Sequence, residues 1–216
     1  MYLPDHFDER RTEEVHRIIR ENPLAALVTL GPQGLDANHL PFEFEPSADG
    51  LGRLRAHVAR ANPVWNQVKN GSPVMVIFTA AQGYVSPNWY PSKHETHRQV
   101  PTWNYQVVHA HGEIQVLDDE RFVRGIVARL TREHEGRTGD ARPWRMSDSD
   151  GEYINGMLKA IVGIEIQITR LTAKSKLSQN KELRDRRAAT KALAEHGIKS
   201  LADAMARTMP DTSTDP

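Results

Sequence analysis

Between Trp103 and Leu117 the chain alternates with period two: Val108, Ala110, Gly112, Ile114 and Val116 on one side, His109, His111, Glu113 and Gln115 on the other. Only extended backbone sends successive side chains to opposite faces, so this segment predicts one strand with a small apolar face and a polar face. AIVGIEIQITRL (160–171) repeats the pattern, with Val162, Ile164, Ile166 and Ile168 set against Glu165, Gln167 and Thr169, and reads as a barrel-closing strand. LAALVTL (24–30), the turn GPQG and LDANHLPFEFE (35–45) predict a hairpin, and RLRAHV (53–58) extends it into an antiparallel meander. PVMVIFT (73–79) supplies a β-branched apolar strand, which Tyr84 to Pro87 continue.

Helices fill the intervals. In TEEVHRIIRE, Val15, Ile18 and Ile19 share one face, Thr12 is the cap and Asn22-Pro23 is the stop. PVWNQVK (63–69) is a short helix opened by Pro63. Residues 118–135 form an amphipathic helix burying Phe122, Ile126, Val127 and Leu130, and 152–159 a short one. The stretches 93–99 and 136–151 read as polar loop, and 180–207 as two helices split at His196-Gly197. Six or more antiparallel strands wrapped by helices make a small barrel of the β-rich α+β class. The expected organisation is a cofactor-binding barrel over 1–179, a helical extension of the same domain over 180–209 and a disordered tail over 210–216.

Composition narrows the chemistry. The 216 residues include no cysteine, which removes disulfides, thiolate metal sites and thiol nucleophiles and leaves His, acids, Tyr, Lys or a cofactor to act. Lys and Arg total 28, as do Asp and Glu, so no global field draws the chain to nucleic acid or an anionic membrane. No segment approaches the ~20 apolar residues of a membrane helix, and the N-terminus lacks a secretory signal. The expectation is a soluble cytoplasmic protein.

Three of the four Trp, Trp65, Trp89 and Trp103, fall within one short span of an aromatic-poor chain. In HVARANPVW (57–65), small Ala59 and Ala61 allow close backbone approach, Arg60 offers forked donors, and a helix N-terminus follows, a combination suited to a phosphate. The same turn also reads as a strand exit with Arg60 in solvent and Asn62 capping the helix. YVSPNWY and PTWNY place Ser86, Trp89, Thr102 and Trp103 beside prolines, suited to a planar ring or to an aromatic plug. His39 and His57 each read as an ordinary half-buried imidazole. The pair His109 and His111 lacks a third metal ligand. Capping accounts for Asp118-Asp119 and for Asp148 and Asp150.

The motifs ANHLPF, HVARANPVW, YVSPNWY, PTWNYQVVHAHG, AIVGIEI and KLSQNK, in this order, resemble the PaiB family of FMN-binding negative transcriptional regulators. The resemblance covers nearly the whole chain. It implies a fold that is α+β and mostly antiparallel β, an FMN-binding split β-barrel with peripheral helices, in a homodimer with its cofactor at the interface. It further implies a cofactor-binding set of His39, His57, Val58, Ala59, Arg60, Asn62, Trp65, Ser86, Trp89, Thr102 and Trp103. Arg60, Asn62 and the backbone at Ala59 would hold the FMN phosphate. Ser86, Trp89, Thr102 and Trp103 would border the isoalloxazine. Direct DNA binding is weakly supported, because no helix-turn-helix is visible and the basic run Arg184, Arg186, Arg187 is slight.

The HVARANPVW motif also resembles that of heme-binding split-barrel enzymes, some of which form nitrogen–nitrogen bonds. On that alternative His57 is an axial iron ligand. A flavin-dependent oxidoreductase is the other enzymatic alternative, and in either the cofactor carries the chemistry.

Overall fold

The computed structural model describes residues 1–210. The tail expected at 210–216 therefore lies, from residue 211 onward, outside the described residues. Helix α1 spans Thr12–Glu21, followed by β1 (Leu24–Gly31), β2 (Gly34–Pro41), β3 (Glu43–Glu45) and β4 (Arg53–Ala59). Then come α2 (Val64–Gln67), β5 (Pro73–Val85), α3 (Pro91–Thr96) and β6 (Thr102–Leu117). The chain continues through α4 (Glu120–Glu135), α5 (Gly151–Lys159), β7 (Ile161–Lys176), α6 (Leu183–Glu195) and α7 (Lys199–Ala206). The strands form one seven-stranded sheet in the order β2-β1-β5-β6-β7-β4-β3. The pairs β1–β2, β1–β5, β3–β4 and β4–β7 are antiparallel.

The single strand expected over 35–45 is interrupted at Phe42. There the N–H donates to the Pro23 carbonyl at 2.9 Å, and the side chain turns inward to 3% exposure. The chain also changes partner at this point: β2 runs against β1, whereas β3 runs against β4 with Glu43 opposite Arg55. Strand β5 continues past Thr79 to Val85, and β7 past Leu171 to Lys176. Part of the polar insert expected at 93–99 is helical, because Pro91 presets the first turn of α3 and His97 closes it at φ 54°.

The chain divides into two compact units. The first comprises Met1–Ile18, Thr79–Val108 and the chain from Thr172 onward. Its core packs Val85 and Tyr90 with Leu177, Leu193, Leu201 and Met205, all buried, and Trp89 lies partly buried against them. The inward face of β6 here carries Asn104 and Gln106 instead of apolar residues, at 0% and 1% exposure.

The second unit comprises Ile19–Phe78 and His109–Leu171. Leu27, Leu54, Ala56, Val76, Ile164 and Ile166 are fully or almost fully buried, and each large side chain stabilises the fold by roughly 1.5–3 kcal/mol through removal from water. Phe42 and Phe78 meet edge to face, their ring centroids 6.1 Å apart. Two glycines allow close packing. A Cβ at Gly112 would run into the Gln167 carbonyl oxygen, and one at Gly163 would lie 2.6 Å from the Phe122 ring. Helix α4 packs against β3, β4 and α5 and so forms a wall beside the outward face of β4.

Candidate functional site

Strand β4 alternates strictly. Val58, at 1% exposure, faces the core, which leaves only its backbone to meet a ligand, while His57 and Ala59 lie on the opposite face. Past Ala59 the chain turns: Asn62 N–H donates to the Ala59 carbonyl at 2.8 Å, and Arg60 N–H donates to the Ala160 carbonyl at 2.8 Å. Arg60 uses most of its fork. Nε donates to the Lys159 carbonyl (2.7 Å), Nη1 to Asp118 Oδ2 (2.8 Å), and Nη2 to Asp118 Oδ1 (2.6 Å) and the Ile161 carbonyl (3.2 Å). The guanidinium holds the Asp118 carboxyl below its usual range. It also lies 5.8 Å from the Trp65 ring, and Trp65 Nε1 returns a 2.9 Å hydrogen bond to the Arg60 carbonyl. Asn62 caps α2, its Oδ1 accepting from Val64 N–H at 3.0 Å, and its Nδ2 donates to Asn38 Oδ1 at 2.6 Å. His39, on β2 opposite Ala26, is exposed.

His57 has a different environment. Its Nδ1 is buried with no hydrogen-bond partner among the described residues, and burial pushes its pKa down, favouring the neutral imidazole with a free electron pair. It opens onto two clefts of the second unit. One, about 330 Å³, is also lined by Pro41, Leu130, Thr131 and His134; the other, about 210 Å³, by Val127, Ile154, Met157 and Ile161. Trp144 lines both. Sequence reasoning missed Trp144, which stands in a loop of turn-forming residues without periodicity.

The remaining expected residues belong to the first unit. Ser86 Oγ accepts from Asn88 N–H at 3.2 Å and so caps the turn Pro87–Trp89. The Trp89 ring sits 5.2 Å from that of His196. Thr102 Oγ1 and the Trp103 carbonyl both accept from Lys176 Nζ, at 2.6 and 2.8 Å, while the Trp103 indole stays 51% exposed. Burial pushes the Lys176 ammonium down. Lys176 was absent from the expected set, although it opens the KLSQNK motif. Behind this face, Asn104 Nδ2 and Tyr90 Oη both meet Ser178 Oγ, at 2.9 and 3.3 Å, and Gln106 Nε2 donates to Ser175 Oγ at 3.0 Å.

His109 and His111 stand on the outward face of β6 with ring centroids 6.4 Å apart. Among the described residues no three His, Asp or Glu gather as a metal site. In the basic run, Arg184 is held by Glu95 in a bidentate pair (2.7 Å each) and by Glu182 (2.8 Å). Arg186 donates to the Thr208 carbonyl at 2.7 Å. No helix among the described residues is long and apolar enough to cross a membrane.

Residues 1–170 match the model of a protein family described as "Putative FMN-binding domain". The chain is 30% identical over 185 residues to the protease synthase and sporulation protein PAI 2 of Bacillus subtilis, covering 86% of this chain and 85% of that one. Among solved structures it resembles an FAD and heme binding protein from Mycobacterium smegmatis, with TM-score 0.56 and 18% identity over 84% of this chain and 79% of that one. A flavocytochrome from Azotobacter vinelandii gives TM-score 0.52 and 16% identity over 78% and 69%. At such identities the likeness concerns the fold, and it bears out the expected class: α+β, mostly antiparallel, split-barrel, with peripheral helices.

Proposed function

This chain belongs to the PaiB family of FMN-binding-domain proteins, and from that membership we propose that it binds FMN and acts as a negative transcriptional regulator in the form of a homodimer. The match to the FMN-binding-domain model over residues 1–170 carries this reading. Arg60 and Asn62 take the phosphate end and Ser86, Trp89, Thr102 and Trp103 the ring. The phosphate turn fits under one condition. Arg60 spends its fork on Asp118 and two carbonyls, so a phosphate must compete with Asp118 for the guanidinium. Bound FMN would supply electron and hydride transfer; the residues themselves supply charge and orientation. The basic run contributes little to any DNA affinity, because Arg184 and Arg186 are engaged within the protein. Regulation through a bound small molecule is the form of the reading these contacts favour.

Stoichiometric quenching of flavin fluorescence on titration with FMN, together with a dimer mass by light scattering, tests the reading. An unquenched signal at micromolar protein would overturn it.

One observation favours a second reading, in which the cofactor is heme and His57 would hold its iron. A buried imidazole nitrogen without a hydrogen-bond partner normally costs free energy, and an iron ion would satisfy it. His57, which lines both clefts, would hold the iron through its imidazole, and the apolar walls would exclude water from the ring. Heme would supply redox and ligand-exchange chemistry at the iron. A Soret band that appears with hemin and disappears in His57→Ala tests this reading.

A further inference from the structure

The two clefts at His57 do not end there. A third, of about 480 Å³, is lined by Arg132, Glu135, Trp144, Arg145 and Met146. Thr131 and Glu135 line both this cleft and the 330 Å³ one, Met146 both this and the 210 Å³ one, and Trp144 all three. The three therefore adjoin one another around one indole within the second unit. Their chemistry changes along the way. Near His57 the walls are mostly apolar, with Val127, Leu130, Ile154 and Ile161. At the far end stand two exposed arginines, Arg132 and Arg145, neither of which forms an ion pair among the described residues. Glu135 is the one carboxylate lining this cleft, and it accepts from Trp144 N–H at 2.9 Å. Asp148, which does not line it, accepts from Arg145 N–H at 2.9 Å, so backbone N–H groups hold both carboxylates and neither pairs with a guanidinium among the described residues. Both guanidinium forks are therefore left to meet an anion in the cleft.

We infer that the three clefts form a single groove for a flat, largely apolar ring system bearing acidic side arms, with the ring between His57 and Trp144 and its acids at Arg132 and Arg145. Three independent features demand the parts of such a ligand. His57 offers an electron pair in an apolar surround, Trp144 offers a π-face, and the two arginines offer forked donors suited to carboxylate or phosphate. The inference rests on the heme reading of His57 and adds to it the residues that read the ligand's charged edge.

The test compares hemin, which carries two carboxylates, with its dimethyl ester, which carries none, by absorption titration of the full chain. Wild type should bind hemin about five- to tenfold more tightly than the ester, and R132A/R145A should lose that preference while keeping a Soret band. Equal affinity for the two probes in wild type, or an unchanged preference in R132A/R145A, would overturn the groove's charged end and leave His57 ligation standing. No Soret shift in wild type, or a shift retained in His57→Ala, would overturn the heme reading and the inference with it. The ester comparison needs no variant, so it holds even if a substitution disturbs folding.

Discussion

Arg60 and Asp118 meet through both arms of the guanidinium, Nη1 to Oδ2 at 2.8 Å and Nη2 to Oδ1 at 2.6 Å, joining the end of β4 to the segment before α4. Both side chains are substantially exposed, 40% and 48%, so the pair adds little to global stability. Its effect is local: it sets the resting position of the one arginine offered to a phosphate.

On the FMN reading, Asp118 is therefore a competitor of the ligand. Asp118→Asn should tighten FMN binding a few-fold, and Arg60→Ala should weaken it by about tenfold or more, with the unfolding midpoint nearly unchanged in both. Fluorescence-quenching titrations measure the affinities. Indifference of FMN to both substitutions would remove the phosphate from this turn.

Asp185 carries more weight for the fold. At 1% exposure its carboxylate accepts from Ser92 N–H at 3.0 Å and Ser92 Oγ at 2.5 Å, tying α6 to the first turn of α3 within the first unit. Asp185→Ala leaves both Ser92 donors buried without a partner and should cost about 2–3 kcal/mol. Urea denaturation of the variant checks the figure, and a loss within experimental error would show that water replaces the carboxylate.

The sequence announces features whose cause is local and is silent where the cause is tertiary. The outward face of β6 was legible because His109, His111 and Glu113 alternate with buried residues along one strand. The inward positions Asn104 and Gln106 broke the apolar pattern, and the hydroxyls that accept from their amide N–H groups, those of Ser178 and Ser175, stand about seventy residues away. Capping correctly explains Asp119, which accepts from Phe122 N–H, and Asp150, which accepts from Tyr153 N–H. Its neighbour Asp118 instead holds Arg60, a contact that no spacing rule contains. His57 was legible as a residue of interest, but Trp144, which walls its clefts, comes to it only through the packing of α4 and the loop beyond.

Glycine packing gives a graded prediction. The carbonyl oxygen of Gln167 blocks a Cβ at Gly112, and backbone cannot step aside. At Gly163, which pairs with His57 across β4 and β7, the obstacles are the Phe122 ring, at 2.6 and 2.8 Å, which can rotate, and the Leu117 carbonyl oxygen at 2.9 Å, a shallower backbone clash than the one at Gly112. Gly163→Ala should cost about 1–3 kcal/mol and Gly112→Ala more. Thermal unfolding of the two variants orders them; a Gly163 variant less stable than the Gly112 variant would mean that Phe122 is held more rigidly than the sheet.

Acid should weaken the second unit through its histidines. Burial pushes the pKa values of His57, His109 and His111 down, and Arg170 adds to the effect at His109 and His111. The unfolded chain, with ordinary values near ~6.5, then binds more protons than the folded one once the pH falls below that point. The stabilisation is present in full above about pH 6.5 and is lost as the pH drops through the unfolded value toward the lower folded values. Urea midpoints should therefore fall between about pH 7.5 and about pH 5.5, and His109→Gln with His111→Gln should flatten that fall without abolishing it, since His57 remains. A double variant with the full wild-type slope would assign the acid sensitivity to His57 or to groups outside β6, and a wild type with no slope would mean that all three imidazoles titrate as they do in the unfolded chain.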